Sequence, residues 1–442
     1  MKNLFVSAGL VALSAAAFQS AIADDSTGPK YWSVGATLRG FYDDNYAISP
    51  SQKGSAGVEF SPTISFHVPL QQTDLGIRYT YGLYYYQDRQ DIGDNAFDQT
   101  HQVDLWVNHA FNEQWKGRVT DTFAAGQEPE LLNPNPVAGV ATPYRISGDN
   151  ISNHGALGLD TDWTRLFSTS LAYNNAVYDY QNSGAVINSD GVLMVGNVPG
   201  ASLSGILDRV EENASLDLKW HLLPETTAFV GYSFAWVNYT GNEPITSPFL
   251  LPNGSLFVYH SSDRDSLTHY GYLGIQQAFT PNLNATVRGG ASYTDVYGDP
   301  LNATTSWAPY ADLSLSYTYM PGSYAQVGFT HDISATDQIA RNITDGQIAQ
   351  YAENSVVYVD VNHRFTPKLI GTVIGRIQYT TYQGGAVNSS DTTDYGIGVN
   401  LTYQFNPHFS VDAGYNYDNV VSDIAGYGYS RNRVYLGLSA NY

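Results

Sequence analysis

The sequence predicts an all-β chain closed into a transmembrane, up-and-down antiparallel barrel of about 18 strands, with 16 as the alternative count. Three observations carry this. Segments of about 10–14 residues alternate apolar with polar side chains along the whole chain; that is longer than an ordinary strand of ~5–6 residues and matches a tilted membrane crossing of ~9–11 plus overhang. Short and long connections alternate strictly between those segments, as in a barrel with tight turns on one side of a membrane and loops on the other. After the first two dozen residues no segment approaches the ~20 continuous apolar residues of a spanning helix, so a membrane location requires strands.

The chain begins MKNLFVSAGLVALSAAAFQSAIA. Lys2, the apolar run Leu4 to Phe18 and the small-x-small site Ala21-Ile22-Ala23 read as a secretory signal peptide over 1–23, leaving 24–442 as a single barrel domain. The first strand, from Trp32 to Gly40, already alternates. After a polar stretch from Asp43 to Ser55, Val58, Phe60, Ile64, Phe66 and Val68 share one face, and Glu59, Ser61, Thr63, Ser65 and His67 the other. Leu75, Ile77, Tyr79, Tyr81, Leu83 and Tyr85 follow, with Gly76, Arg78, Thr80 and Gly82 between them. The pattern is cleanest over 395–405 and continues to the end, where Val434, Leu436, Leu438 and Ala440 alternate with Arg433, Tyr435, Gly437, Ser439 and Asn441 before Tyr442. A last strand closing on an aromatic resembles the signal that outer-membrane barrels present to their assembly machinery, which is therefore an expected partner.

The turns repeat one design: Phe279-Thr280-Pro281-Asn282-Leu283, Phe365-Thr366-Pro367-Lys368-Leu369 and Phe405-Asn406-Pro407-His408-Phe409. Proline presets φ for a tight turn, and the aromatics fall where an interface girdle would be. The other connections are long and polar: 127–148, 181–208, 241–263 and 335–350. Both termini then lie on the short-turn, periplasmic side. Loops 127–148 and 181–208 are long enough to fold into the pore; four prolines stiffen the first.

With 20 basic against 41 acidic residues, net charge is -21, which disfavours nucleic acid as a partner. There is no cysteine, hence no disulfide, thiol nucleophile or thiolate metal site. A mean hydropathy of -0.25 is compatible with a membrane barrel, because only alternate residues meet lipid. At this strand number the lumen is too wide for side chains to fill. The predicted pore-lining set is Arg39, Glu59, Arg78, Asp104, Arg118, Asp217, Lys219, Arg288, Asp312, Asp332, Asp360, Arg376, Asp394, Asp412 and Arg433. Its signs nearly balance, so the excess negative charge is assigned to the outer loops (Asp43, Asp44, Asp88, Asp98, Asp265, Asp299, Asp337 and others), which predicts a mild cation preference. The aspartates at 88, 91, 94 and 98 have a spacing suggestive of calcium, but no loop repeats an EF-hand pattern, and no metal or cofactor is predicted.

A search for catalysis finds no mechanism. The 10 histidines scatter over different strands, and no Ser–His pair or Gly-rich phosphate loop stands out; the chain reads as a non-enzyme. His109 and His363 fall beside girdle aromatics at the periplasmic end.

The run Arg39-Gly40-Phe41-Tyr42-Asp43-Asp44-Asn45, then Ser55, Phe60-Ser61-Pro62, Tyr79, Tyr84-Tyr85, His101 and Leu105, is similar to the β-barrel porin family of Gram-negative outer membranes, in particular its "YDDN" or "YDSN" group. The resemblance implies an integral outer-membrane porin meeting lipid and lipopolysaccharide and passing small hydrophilic solutes. Some members are encoded beside surface-polysaccharide systems, so export of such a polymer is a second implied function; inward Tyr84, Tyr86, Tyr270, Tyr272 and Tyr310 would suit it. A closed structural or adhesive barrel is a third. Homo-oligomers are common among such porins, and no residue here marks one.

Overall fold

The computed structural model describes residues 30–92, 96–126, 150–181, 203–251, 253–301 and 304–442. The predicted signal peptide, most of the two loops expected to enter the pore, and Asp94 lie outside these residues.

Eighteen strands form one sheet. In chain order they are β1 (Trp32–Asp43), β2 (Ser55–Pro69), β3 (Thr73–Tyr86), β4 (Phe97–Ala110), β5 (Trp115–Gly126), β6 (Asn150–Asp162), β7 (Phe167–Tyr180), β8 (Arg209–Leu223), β9 (Thr226–Tyr239), β12 (Ser266–Thr280), β13 (Leu283–Val296), β14 (Thr304–Met320), β15 (Ser323–Ser334), β16 (Ala349–Arg364), β17 (Leu369–Gly384), β18 (Asp391–Asn406), β19 (Phe409–Ser422) and β20 (Tyr429–Asn441). Two two-residue strands, β10 (Phe249–Leu250) and β11 (Leu256–Phe257), pair with each other in the connection between β9 and β12. Every neighbour in the barrel is antiparallel, and β1 pairs with both β2 and β20, so no edge is left open. Closure is what permits such a sheet to sit in lipid, where an unpaired backbone amide would cost several kcal/mol.

The alternation resolves into two faces. Leu38, Val58, Phe60, Ile77, Leu216, Ile397, Leu401, Leu436 and Leu438 are exposed on the outside, while the residues between them point inward. Aromatic side chains gather at the short-turn end: Trp115 and Trp163 meet at 5.4 Å, and Trp32 and Tyr442 at 5.8 Å. His109–Phe111 and His363–Phe365 repeat one edge-on contact, each 4.5 Å between centroids. Both described chain ends are at this end, where Val34 and Tyr442 exchange backbone hydrogen bonds. The outer face is not uniformly apolar. Midway along β5, Asp121 faces outward and accepts from Asn153 at 3.1 Å, and Asn175 and Glu212 share its cross-strand row.

At the opposite rim, the sequence run that carried the family resemblance becomes a clasp. Arg431 donates to Asp43 at 2.7 Å, and both are fully buried; the Asn432 amide and side chain donate to Asp44 at 2.6 and 2.7 Å; Asn45 donates to the Ser49 and Ser430 carbonyls. The first loop is thereby fastened to the last strand.

Candidate functional site

All fifteen predicted lining residues occupy inward positions of their strands. The barrel does not line them up as one ladder; it sorts them into groups. At the seam, Arg39 donates to Asp412 (2.9 Å) and Glu59 (3.3 Å), Arg433 lies 3.9 Å from Glu59, and Phe41 packs under the Arg433 guanidinium. On β3 and β4, Arg78 donates to Asp104 at 3.2 Å, and Gln102 and Thr122 complete the carboxylate's bonding. Across β8, β13 and β14, Arg288 donates to Asp312 at 2.8 Å and lies 3.8 Å from Asp217, which accepts from the Tyr272 hydroxyl at 2.7 Å. Lys219 reaches Ser170 at 2.5 Å. Asp360 accepts from Tyr324 at 3.0 Å; Arg376 bonds Gln378 and faces Asp394 and Asp332; Arg118 lies along Gly158 and has no carboxylate within ion-pair distance among the described residues.

In the seam and β13 groups the guanidinium is nearer the lumen than its partners. The Arg39 side chain is 29% exposed against 9% for Glu59 and 6% for Asp412. Carboxylates held against the wall behind arginines satisfy each other's charge, as buried ions must.

The loops also depart from a simple acidic vestibule. Asp43 is held by Arg431, Asp98 by both oxygens on Arg89 (2.6 Å each), and Asp337 by Tyr427. Asp98, being so engaged, cannot serve the calcium spacing noted above without breaking that pair.

Among the described residues, a connection that the sequence did not single out also enters the barrel. The connection 335–348 folds inward at the long-loop end. Ile339 and Ile348 are fully buried with Ile206, Leu207, Ile245 and Tyr259 against the inner faces of Ala176, Tyr178 and Tyr180 on β7. The same segment touches the opposite side through Asp337–Tyr427 and packs Ala340 near Tyr382 of β17. Arg264, also fully buried, bolts three connections together by donating to the Ile206 carbonyl (3.0 Å) and the Thr336 carbonyl, with Tyr239 under its guanidinium. Isoleucines at 339, 343 and 348 in a loop otherwise polar were the available signal. The helical turn α1 (Leu203–Leu207) belongs to this cap and to the connection 181–208 expected to enter the pore.

Burial in the cap raises the pKa of its carboxyls. Asp208 is pushed up to about 7 and Asp265 to about 6, in each case by desolvation that outweighs a bond from a backbone amide, Tyr180 and Tyr239 respectively. Asp337 is raised by the same cause.

The expected sugar-stacking tyrosines are inward but not displayed. Tyr270 packs edge-on against Tyr310, Tyr310 tilted against Tyr272 and Tyr272 edge-on against Phe229, and the three tyrosines are 3–7% exposed; Tyr86 is buried with Phe41 and Tyr46, and Tyr84 is half-buried beside them. Among the inward aromatics that the sequence reading did not name is Trp106, which shares its face with Gln102, Asp104 and Asn108. Among the described residues no group of three or more His, Cys, Asp or Glu is arranged to hold a metal ion.

No curated protein matches the chain by sequence. Among solved structures, Acinetobacter baumannii OccAB4 aligns with 12% identity over 94% of this chain and 99% of its own, TM-score 0.40. Pseudomonas aeruginosa OccK3 (OpdO) aligns with 12% identity over 93% and 95%, TM-score 0.41. The siderophore receptor PirA of A. baumannii aligns with 8% identity over 94% and 81%, TM-score 0.44. The fold itself is carried by the strand register. The chain is a closed eighteen-stranded barrel whose last six strands match, over residues 325–442, the family described as "Putative beta-barrel porin 2".

Proposed function

We propose that the protein is an outer-membrane channel for passive diffusion of small hydrophilic solutes, with the short turns and both termini periplasmic. The observation that supports this reading best is the division of the wall: an outside that is apolar but for one polar row, and an inside set with charge-paired side chains that present no strong net field. The cap at the outer mouth narrows that path. Cation preference is expected to be slight, because Asp43 and Asp98 are already paired with arginines and burial pushes the Asp208 carboxyl up to about 7. Export of a surface polymer is the less favoured reading, since its tyrosines pack against one another and against the wall. Single-channel recording in planar bilayers, with liposome swelling in a graded sugar series, tests the proposal: steady conductance and size-dependent influx are expected. A barrel that inserts yet carries no current, with the cap intact or removed, would leave the closed, adhesive reading.

A further inference from the structure

Trp106 is the anomaly of the inner wall. The chain has seven tryptophans. Trp32, Trp220 and Trp307 are exposed on the outer face, Trp115 and Trp163 pair at the short-turn end, and Trp236 bonds the Tyr297 hydroxyl at the far rim. These are interface positions that suit an amphipathic ring. Trp106 alone points inward, in the half of the barrel nearer the short turns.

The wall is shaped to receive it. Trp106 is opposite Gly76, and a Cβ at Gly76 would lie 2.1 Å from the indole, so the ring rests directly on bare backbone. His67, the next residue in that row, holds it at 5.9 Å and bonds Asp74 at 2.5 Å. The row above carries Arg78 and Asp104; the row below carries Asp74 and Asn108. Arg78 uses its Nε on Asp104, and its terminal amines have no protein acceptor among the described residues. The rim is also wet: the His67 and Asp74 side chains are 39% and 43% exposed. The result is a flat apolar ring with planar donors and acceptors around it, and with the Arg78 and Asp104 charges compensated against each other. That chemistry fits a solute with one apolar face and many hydroxyls and no net charge.

We infer that the inner wall of β2–β5 carries a carbohydrate subsite, in which the Trp106 indole supports one face of a neutral sugar ring and Arg78, Asp74 and Asn108 bond its hydroxyls. This deepens the diffusion-channel reading by naming a solute class and rests on it for its purpose, but binding can be measured without conduction.

The experiment is calorimetric titration of the detergent-solubilised mature protein with maltohexaose, and separately with an acidic oligogalacturonate of similar length. Saturable binding of maltohexaose is expected, weakened about tenfold in Trp106→Ala. Trp106→Phe should retain part of it. Gly76→Ala, which removes no contacting side chain but displaces the ring, should weaken binding comparably. Each variant is first required to show wild-type heat-modifiable migration. No saturable binding by the wild type, equal binding by Trp106→Ala and wild type, or preference for the acidic oligomer would overturn the subsite. Absence of conductance with maltohexaose binding intact would overturn the channel and leave the subsite standing.

Discussion

Two stretches of the inner wall are built from the same residue types and end in different states. On β2–β5, an arginine–aspartate pair and a tryptophan are half-buried beside a histidine whose side chain is 39% exposed. On β8–β14, the Arg288 guanidinium is as exposed as Arg78, 23% against 21%, but its two aspartates and three tyrosines are buried, with Asp217 and Asp312 only 10% and 8% exposed. Strand periodicity is identical in both. The difference comes from what covers them: the second stretch is packed by its own aromatics and roofed by connections from β7, β9 and β15, whereas nothing described reaches the lower part of the first. Alternation therefore tells which side chains point inward, and the loops decide which of those a solute can touch.

The largest test of that contrast removes the roof. Replacing residues 336–347 by a short Gly-Ser link should raise single-channel conductance several-fold; an unchanged value would mean the segment rests beside the path. A subtler break is Arg264→Ala, which strands two buried carbonyl groups and should cost the cap about 2–3 kcal/mol. Faster limited proteolysis within the loops and longer open times are the expected readouts, with the barrel's own unfolding midpoint unmoved.

Protonation should act on the same element. The Asp208 and Asp265 carboxyls keep their protons to about pH 7 and 6 in the folded cap, while an unpacked loop releases them near 4. The folded cap thus binds more protons across that interval, so its stability is greatest below it and declines as pH rises through 7. Closed times should lengthen on acidification from pH 8 to 5, and Asp208→Asn should blunt the change.

The smallest effect belongs to the wet wall. Arg78→Leu leaves Asp104 hydrogen-bonded to Gln102 and Thr122 and should cost under about 1 kcal/mol, as expected for a hydrated pair. Its mark should be a shift of reversal potential toward cations in a salt gradient.

The strand count, the parity of the connections and the inward register of the fifteen charged strand positions were legible in the sequence, because each depends on local periodicity or turn chemistry. Pairing was not: Asp43 looks like a loop acid until Arg431 arrives from 388 residues away. Ile339 and Ile348 look like stray loop residues until Ile206 and Tyr259 surround them. Trp106 was readable in principle, since it stands on the polar parity of Val103-Asp104-Leu105-Trp106-Val107, but its significance depends on Gly76 across the strand.

The clasp between the first loop and the final strand has a consequence for biogenesis. Its two halves are the first and last parts of the barrel to be synthesised, so local hairpins can zip early while the ring must wait for the whole polypeptide. A chain stopped short of Arg431 would keep a raw margin on β1, a liability for aggregation. The salt link at Asp43 can therefore form only once β20 has joined the sheet.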